Sequence, residues 1–292
     1  MELIVVPGPA SQELGQKIAE LLKTKVVPVE FKRFPDGEVY IRFDGKVEAE
    51  DVVIVQTTSP PQNEKLLQLF LMVDNAKDLK AKTITTVVPY LAYSRQDRRF
   101  RPGEAFSIKT IVTLLEACGA HKIITVNVHN PEVLKAFKIR VEDLSAISLL
   151  AEYFKNQGFN GAFSLSLGKK AQAIAAEANN VLNGGHGYIE TRRDRLTGKV
   201  TVEKKALPVK GRDVIIFDDI ISSGGTMIKA IGWVKEQGAR SVYAACVHPL
   251  LVGDAEDKIM KSGADGIVGT DCVPSSVSLV SVAPLVAKAL AK

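Results

Sequence analysis

Residues 213–226 run Asp213-Val214-Ile215-Ile216-Phe217-Asp218-Asp219-Ile220-Ile221-Ser222-Ser223-Gly224-Gly225-Thr226, and this order decides the fold class. Val214 to Phe217 is a short β-branched and aromatic run, the composition of a buried strand. Two carboxylates follow, then a loop of residues without bulk, then Met227 to Glu236, in which apolar residues recur at helical spacing. In open α/β sheets, ligands bind at the carboxyl ends of such strands. The loop suits a phosphate: the backbone N–H groups at Gly224 and Gly225 allow close approach, Ser222, Ser223 and Thr226 add hydroxyl donors, and a helix N-terminus adds positive potential. Asp218 and Asp219 are then placed to reach ribose hydroxyls or a hydrated Mg²⁺. Carboxylates buried without partners are costly, which argues against an accidental pair at this point.

Outward from this segment the same unit recurs. Leu3–Val6, Val52–Gln56, Ile84–Val88, Ile123–Val128 and Val242–Val247 read as further buried strands, alternating with helical patterns such as Ile108 to Ala117. That alternation predicts α/β architecture with parallel sheets flanked by helices. Ser11 is expected to cap a helix carrying Leu14, Ile18, Leu21 and Leu22. Gly119-Ala120-His121-Lys122 with Ile123 to Val128, His129, Asn130 and Pro131 resembles Gly238-Ala239-Arg240-Ser241 with Val242 to Val247, His248 and Pro249. Each Gly-Ala reads as a helix C-cap leading into a strand, and duplication of one α/β domain explains the match. The expected division is 1–143, 144–279 and a tail, 280–292, that packs back on the first domain.

The chain has 292 residues, 46% hydrophobic and 24% charged, which fits two medium globular domains. Its apolar runs fall short of the roughly 18 residues a membrane span needs. Met1 and Glu2 lead straight into Leu3–Val6 without a basic leader, so a cytoplasmic location without a membrane partner is expected. Cys118, Cys246 and Cys272 show no paired spacing and read as buried free thiols. The net charge of +5 is modest, but arginines cluster at Arg95, Arg98, Arg99 and Arg101 and at Arg192, Arg193 and Arg195. A small phosphorylated partner fits these clusters. Nucleic acid does not, since the interleaved aromatics and motifs of such a surface are missing. No G-x-x-x-x-G-K-[ST] segment occurs, which removes the P-loop enzymes. His121 and His186 belong to no motif and are expected at surface or capping positions.

The 218–226 segment is similar to the fingerprint with which type I phosphoribosyltransferases bind 5-phosphoribosyl 1-diphosphate (PRPP), with Ser223 where that family more often has Thr. Further segments narrow the resemblance. Arg33-Phe34-Pro35-Asp36-Gly37-Glu38, Tyr93-Ser94-Arg95-Gln96-Asp97-Arg98-Arg99-Phe100, Val126-Asn127-Val128-His129 and Ala245 to Ala255 resemble, in order and spacing, segments of PRPP synthetases, most of all those of the archaeal branch. The resemblance implies two tandem phosphoribosyltransferase-like domains and transfer of the diphosphoryl group of Mg-ATP to C1 of ribose 5-phosphate. It also implies an ATP site of Phe34, Asp36, Gly37, Glu38, Arg95, Gln96, Asp97 and His129, with His129 at the metal-bound triphosphate. Phe34 offers a face for adenine and Arg95 with Gln96 a clamp for phosphates. In the family the Phe34 loop completes a neighbouring subunit's site, which implies a dimer or larger oligomer.

Two departures stand out. The family carries Ser/Ala-Pro-Asp-x-Gly after a strand of its second domain, the Asp serving the metal and ribose site. Here the stretch is Ser164-Leu165-Ser166-Leu167-Gly168, which puts either Ser166 or Gly168 at the carboxylate. The family's catalytic loop reads Glu-Lys-x-Arg, whereas this chain has Glu190-Thr191-Arg192-Arg193, so Arg193 is retained and Thr191 stands at the lysine. A catalytically impaired regulatory paralogue and a PRPP-consuming phosphoribosyltransferase are therefore the alternatives to an active synthetase.

Overall fold

Short Val- and Ile-rich segments, buried on both faces, become the central strands of two parallel sheets, and the amphipathic segments between them become the covering helices. The computed structural model describes residues 2–99, 101–193, 200–202 and 206–291, apart from the side chains at 170, 191–193 and 200–202. The chain forms two units, one of Met1–Leu144 with Ser281–Lys292 and one of Ser145–Val280.

The first unit runs β1 (Leu3–Pro7), α1 (Gln12–Leu22), β2 (Lys25–Val26), β3 (Val29–Arg33), β4 (Val39–Phe43), β5 (Asp51–Val55), α2 (Gln62–Asp78), β6 (Thr83–Val88), α3 (Ser107–Cys118), β7 (Lys122–Val126) and β8 (Arg140–Leu144). The second unit runs α4 (Ile147–Asn156), β9 (Phe163–Leu167), α5 (Gln172–Leu182), β10 (His186–Ile189), β11 (Thr191–Arg193), β12 (Val200–Val202), β13 (Asp213–Ile221), α6 (Gly225–Glu236), β14 (Ser241–Pro249), α7 (Ala255–Lys261), β15 (Gly266–Thr270) and β16 (Ser278–Val280). A last helix, α8 (Ala283–Leu290), returns to the first unit and packs on α1.

The sheets have the same plan, β2-β1-β5-β6-β7-β8 and β10-β9-β13-β14-β15-β16, with every neighbouring pair parallel. An antiparallel hairpin interrupts each at the same point, β3–β4 in the first and β11–β12 in the second. One face of the first sheet, with Ile4, Val52, Ile54 and Ile84, packs against Leu69 and Met72 of α2 and Val112 and Leu115 of α3. In the second unit Val214, Ile216, Val242 and Ala244 meet Met227, Ile231 and Val234 of α6. On the opposite face Phe154 of α4 stands edge-on to Phe217 and Tyr243, at 6.4 and 5.6 Å between ring centroids.

Four expectations need correction. The duplication is real in topology, but the sequence similarity aligns β7 with β14, whereas the plan pairs β6 with β14 and β7 with β15. The shared Gly-Ala is cap chemistry common to any βα unit: Gly119 and Gly238 both follow helices, with φ of 108° and 80°. The strand read to Val128 ends at Val126, because Asn127 turns the backbone to φ 41°. The strand read to Phe217 instead continues to Ile221. Finally, Ser11 sits at the helix start without capping it; its hydroxyl accepts the Thr57 N–H at 2.8 Å.

Candidate functional site

β13 keeps a constant register against β14 from Asp213 to Ile221, so alternation places Asp218 on the face of Ile216 and α6, and Asp219 on the opposite face with Phe217. Both acids are half-buried, and Asp218 Oδ1 accepts the Asp219 N–H at 3.0 Å. Cys246 lies opposite Asp218 on β14. Burial first, and then the carboxylate of Asp218, hold its thiol well above the ordinary value, so it stays a protonated core residue. Cys272 is likewise buried and Cys118 partly so, all three as free thiols.

The chain leaves β13 through Ser222 and Ser223 and turns at Gly224, whose φ of 73° is left-handed. That turn starts α6 at Gly225, with no side chain capping the helix. The first N–H groups of a helix have no intrahelical acceptor, so here they face outward over an exposed glycine with nothing within 4 Å of where a Cβ would stand. One flank of the loop is closed: the N–H groups of Leu251 and Val252, beyond β14, bond to the carbonyls of Ile221 and Ser222, each at 3.0 Å. The other flank is the end of β9.

At that end Ser166 is fully buried within the strand, and its hydroxyl has no hydrogen-bond partner among the described residues. A group so enclosed is not placed to hold an open cation. Gly168, the other position considered for the family's aspartate, is the one that reaches the carboxyl edge, at φ 92°, with its N–H bonded to the Ile189 carbonyl at 2.8 Å. Thr191 and Arg193 lie on β11, but their side chains, like Phe100, fall outside the described residues.

The equivalent loop of the first unit, after β5, is filled by its own side chains. Gln56 accepts the Ala10 N–H at 3.0 Å and donates to Gln68 at 2.8 Å, while Thr58 donates to the Tyr90 carbonyl at 2.7 Å and accepts the Ala92 N–H at 2.8 Å. Buried polar groups satisfied this way are not available to a ligand. The first unit's candidates lie elsewhere.

Phe34, Asp36, Gly37 and Glu38 form the exposed tip of the β3–β4 hairpin, closed by the Phe34 N–H on the Glu38 carbonyl at 2.8 Å and turned at Gly37 with φ 98°. Phe34 is 46% exposed, free to offer a ring face. Arg95 and Gln96 are exposed after a turn at Tyr93, with Gln96 held by the Ser107 hydroxyl. Asp97 accepts a hydrogen bond from Asn130, the residue after His129, so two candidate segments far apart in sequence share one neighbourhood. Sequence reasoning missed Asn130, which has no motif of its own. His121, expected as a capping residue, accepts the Ile84 N–H through Nδ1 at 3.1 Å, and His186 is exposed.

Among the described residues no group of three or more His, Cys, Asp and Glu is placed to hold a metal ion. A Mg²⁺ that arrives with a polyphosphate needs only one or two protein oxygens. Asp218 and Asp219 fit that demand, whereas the end of β9 does not. Among the described residues no helix is long and apolar enough to cross a membrane.

Residues 3–119 match the family model described as the N-terminal domain of ribose phosphate pyrophosphokinase, and residues 165–281 match the phosphoribosyl transferase domain. A ribose-phosphate pyrophosphokinase of Methanothermobacter thermautotrophicus is 41% identical over 285 residues, 97% of this chain and 98% of the relative. One from Saccharolobus solfataricus is 40% identical over 272 residues, 93% of each. A crystal structure of phosphoribosylpyrophosphate synthetase from Mycobacterium smegmatis superposes with a TM-score of 0.88 at 27% identity, covering 100% of this chain and 98% of that one.

Proposed function

Since the chain belongs to the ribose-phosphate pyrophosphokinase family, we propose that it transfers the β,γ-diphosphoryl group of Mg-ATP to the C1 hydroxyl of ribose 5-phosphate, giving PRPP and AMP. The hydroxyl oxygen bonds to the β-phosphorus as the bond from that phosphorus to the α,β-bridging oxygen breaks. The hydroxyl proton is released, and the electron pair of the broken bond leaves on AMP. The observation that carries this reading is the β13–α6 loop, with outward N–H groups over Gly225, small side chains, and two half-buried carboxylates just before it.

In this reading the 5-phosphate takes the N–H groups and hydroxyls of Ser222 to Thr226, and Asp218 and Asp219 accept from ribose hydroxyls or hold the Mg²⁺ that arrives with ATP. That ion neutralises charge on the transferred phosphates. Phe34 stacks on adenine, Asp36 and Glu38 accept from its exocyclic amine, and Arg95, Gln96 and His129 bind the triphosphate, with Asp97 and Asn130 bracing the last two segments together. Arg193 supplies a cation to the transferred group. Little covalent chemistry falls to these residues; they act by positioning and by stabilising charge. The exposed Phe34 loop also fits a role in a second copy's site, so self-association belongs to the same reading.

The test is direct. Purified chain with Mg-ATP and ribose 5-phosphate is expected to form AMP and PRPP in equal amounts, with no AMP when the sugar phosphate is omitted. Consumption of PRPP with a nucleobase, without AMP formation from ATP, would overturn the reading.

A further inference from the structure

Consecutive residues in the first turn of α2 hold different segments of the first unit. Asn63 Oδ1 accepts from the Tyr93 hydroxyl, the Glu64 carboxylate pairs with Arg33, and Lys65 donates to the buried Ser59 hydroxyl at 2.8 Å. The last contact anchors the turn to the loop after β5. The other two reach the candidate nucleotide segments. Arg33 immediately precedes Phe34, and Tyr93, left-handed at φ 63°, opens the turn in which its carbonyl accepts the Gln96 N–H at 2.9 Å.

The hairpin that carries Phe34 needs a tether to point in one direction. β3 and β4 form a two-stranded sheet of their own, and such a ribbon is marginal in water by itself. Its root is fixed by Phe43, Val29 and Ile41, which pack into the core. The ion pairs of Glu30 with Lys32 and Arg42, and of Arg42 with Asp44, stay within the hairpin and its root, so they set no direction for the tip. The pair of Arg33 with Glu64 does, because it joins the tip end of β3 to a helix that packs on the main sheet. Glu64 is itself held: its side chain is 23% exposed, and Oε1 accepts from Gln68 Nε2 at 3.2 Å.

We propose that Glu64 is a positioning residue for the nucleotide: through Arg33 it sets the direction in which the hairpin presents Phe34, from the same helical turn that holds the Tyr93 turn with its Arg95 and Gln96. This rests on the reading of Phe34 as the ring that meets adenine, and it holds whether that adenine is bound by the same copy or by a second one. Without the tether the hairpin spends only part of its time in the binding direction, and affinity falls by that fraction. The arginine of the pair is 54% exposed, which limits the loss to several-fold.

Calorimetry on the full chain tests this with Mg-ATP and with Mg-tripolyphosphate, a probe that lacks the base. Glu64→Ala is expected to weaken ATP by about threefold to fivefold and to leave tripolyphosphate within about twofold. Glu64→Gln, which still offers an oxygen to Arg33, is expected to recover part of the loss. Because Glu64 acts through Phe34, adding Glu64→Ala to Phe34→Ala is expected to cost no further ATP affinity. A full loss in the Phe34→Ala background, or a loss shared by tripolyphosphate, would overturn the proposal. So would unchanged ATP affinity in Glu64→Ala while Phe34→Ala binds ATP more weakly, and the adenine reading would then stand. Phe34→Ala binding ATP as tightly as the unaltered chain would instead overturn the adenine reading itself.

Discussion

Replacing Gly225 with Val separates ligand binding from folding at the β13–α6 loop. Gly225 is the first residue of α6, exposed, without a left-handed φ, and a Cβ there meets nothing within 4 Å. Helix propensity favours Val over Gly by about 0.3–0.5 kcal/mol, so stability should stay within about 0.5 kcal/mol. The melting temperature should then move by no more than roughly 2 °C. The branched side chain, however, stands over the N–H groups that a phosphate would use. Charge-assisted hydrogen bonds contribute about 1.5–3 kcal/mol each, so losing two costs about 3–6 kcal/mol, or more than roughly 10²-fold in affinity. Gly224→Ala is the contrasting control. At φ 73° an L-residue costs about 1–2 kcal/mol, and the new Cβ would stand 3.0 Å from Ile259 Cδ1. That variant should lower the melting temperature by several degrees. Ribose 5-phosphate calorimetry and thermal melts on both variants check the pair. Unchanged affinity in Gly225→Val, with unchanged melting, would refute the placement of the phosphate.

Thr191→Lys should raise kcat by at least about tenfold in the AMP-release assay, on the scale of 10²–10³ for one transition-state cation, with KM for ribose 5-phosphate little changed. Ser166→Asp should destabilise by more than about 2 kcal/mol, because it puts a carboxylate where a buried hydroxyl already has no partner among the described residues; denaturant midpoints measure this. Asp213 is held below the ordinary carboxylate value by its hydrogen bonds to Arg240, at 2.8 Å, and Ser241, at 2.7 Å. Its folded pKa is depressed below the unfolded value near 3.8, so its stabilisation is present above that pH and is lost as pH falls through the folded value. Asp213→Asn should remove this slope in acid melts and cost no more than about 1 kcal/mol at neutral pH, since Arg240 is 68% exposed.

The strands and helices were readable because each is a self-contained period: β-branched runs such as Val52–Val55 and helical spacing in α6 carry their own signal. The phosphate loop was readable for the same reason, since its small residues and acids are contiguous. Ser166 was not, because Phe163-Ser164-Leu165-Ser166-Leu167 alternates like a strand with one wet face. Packing of α5 against β9 and the pairing of β9 on both sides instead bury both serines. Pairing register, which a single sequence does not display, decides that Gly168 rather than Ser166 stands at the edge. Asn130 was missed likewise, since its value lies in a contact to Asp97.

The return of α8 to the first unit has a bearing on how the chain is made. The first unit is discontinuous, with Ser145–Val280 inserted between Leu144 and Ser281. During synthesis, domains generally fold as units, N-terminal first, yet here the helix that packs on α1 leaves the ribosome after the whole inserted unit. The second unit is continuous and can collapse as soon as it emerges, while α1 waits with the patch that α8 will cover still exposed. Nascent chains arrested with Val280 outside the ribosome and Ala283 onward still inside it should therefore carry a protease-resistant second unit beside a first unit that is still cut.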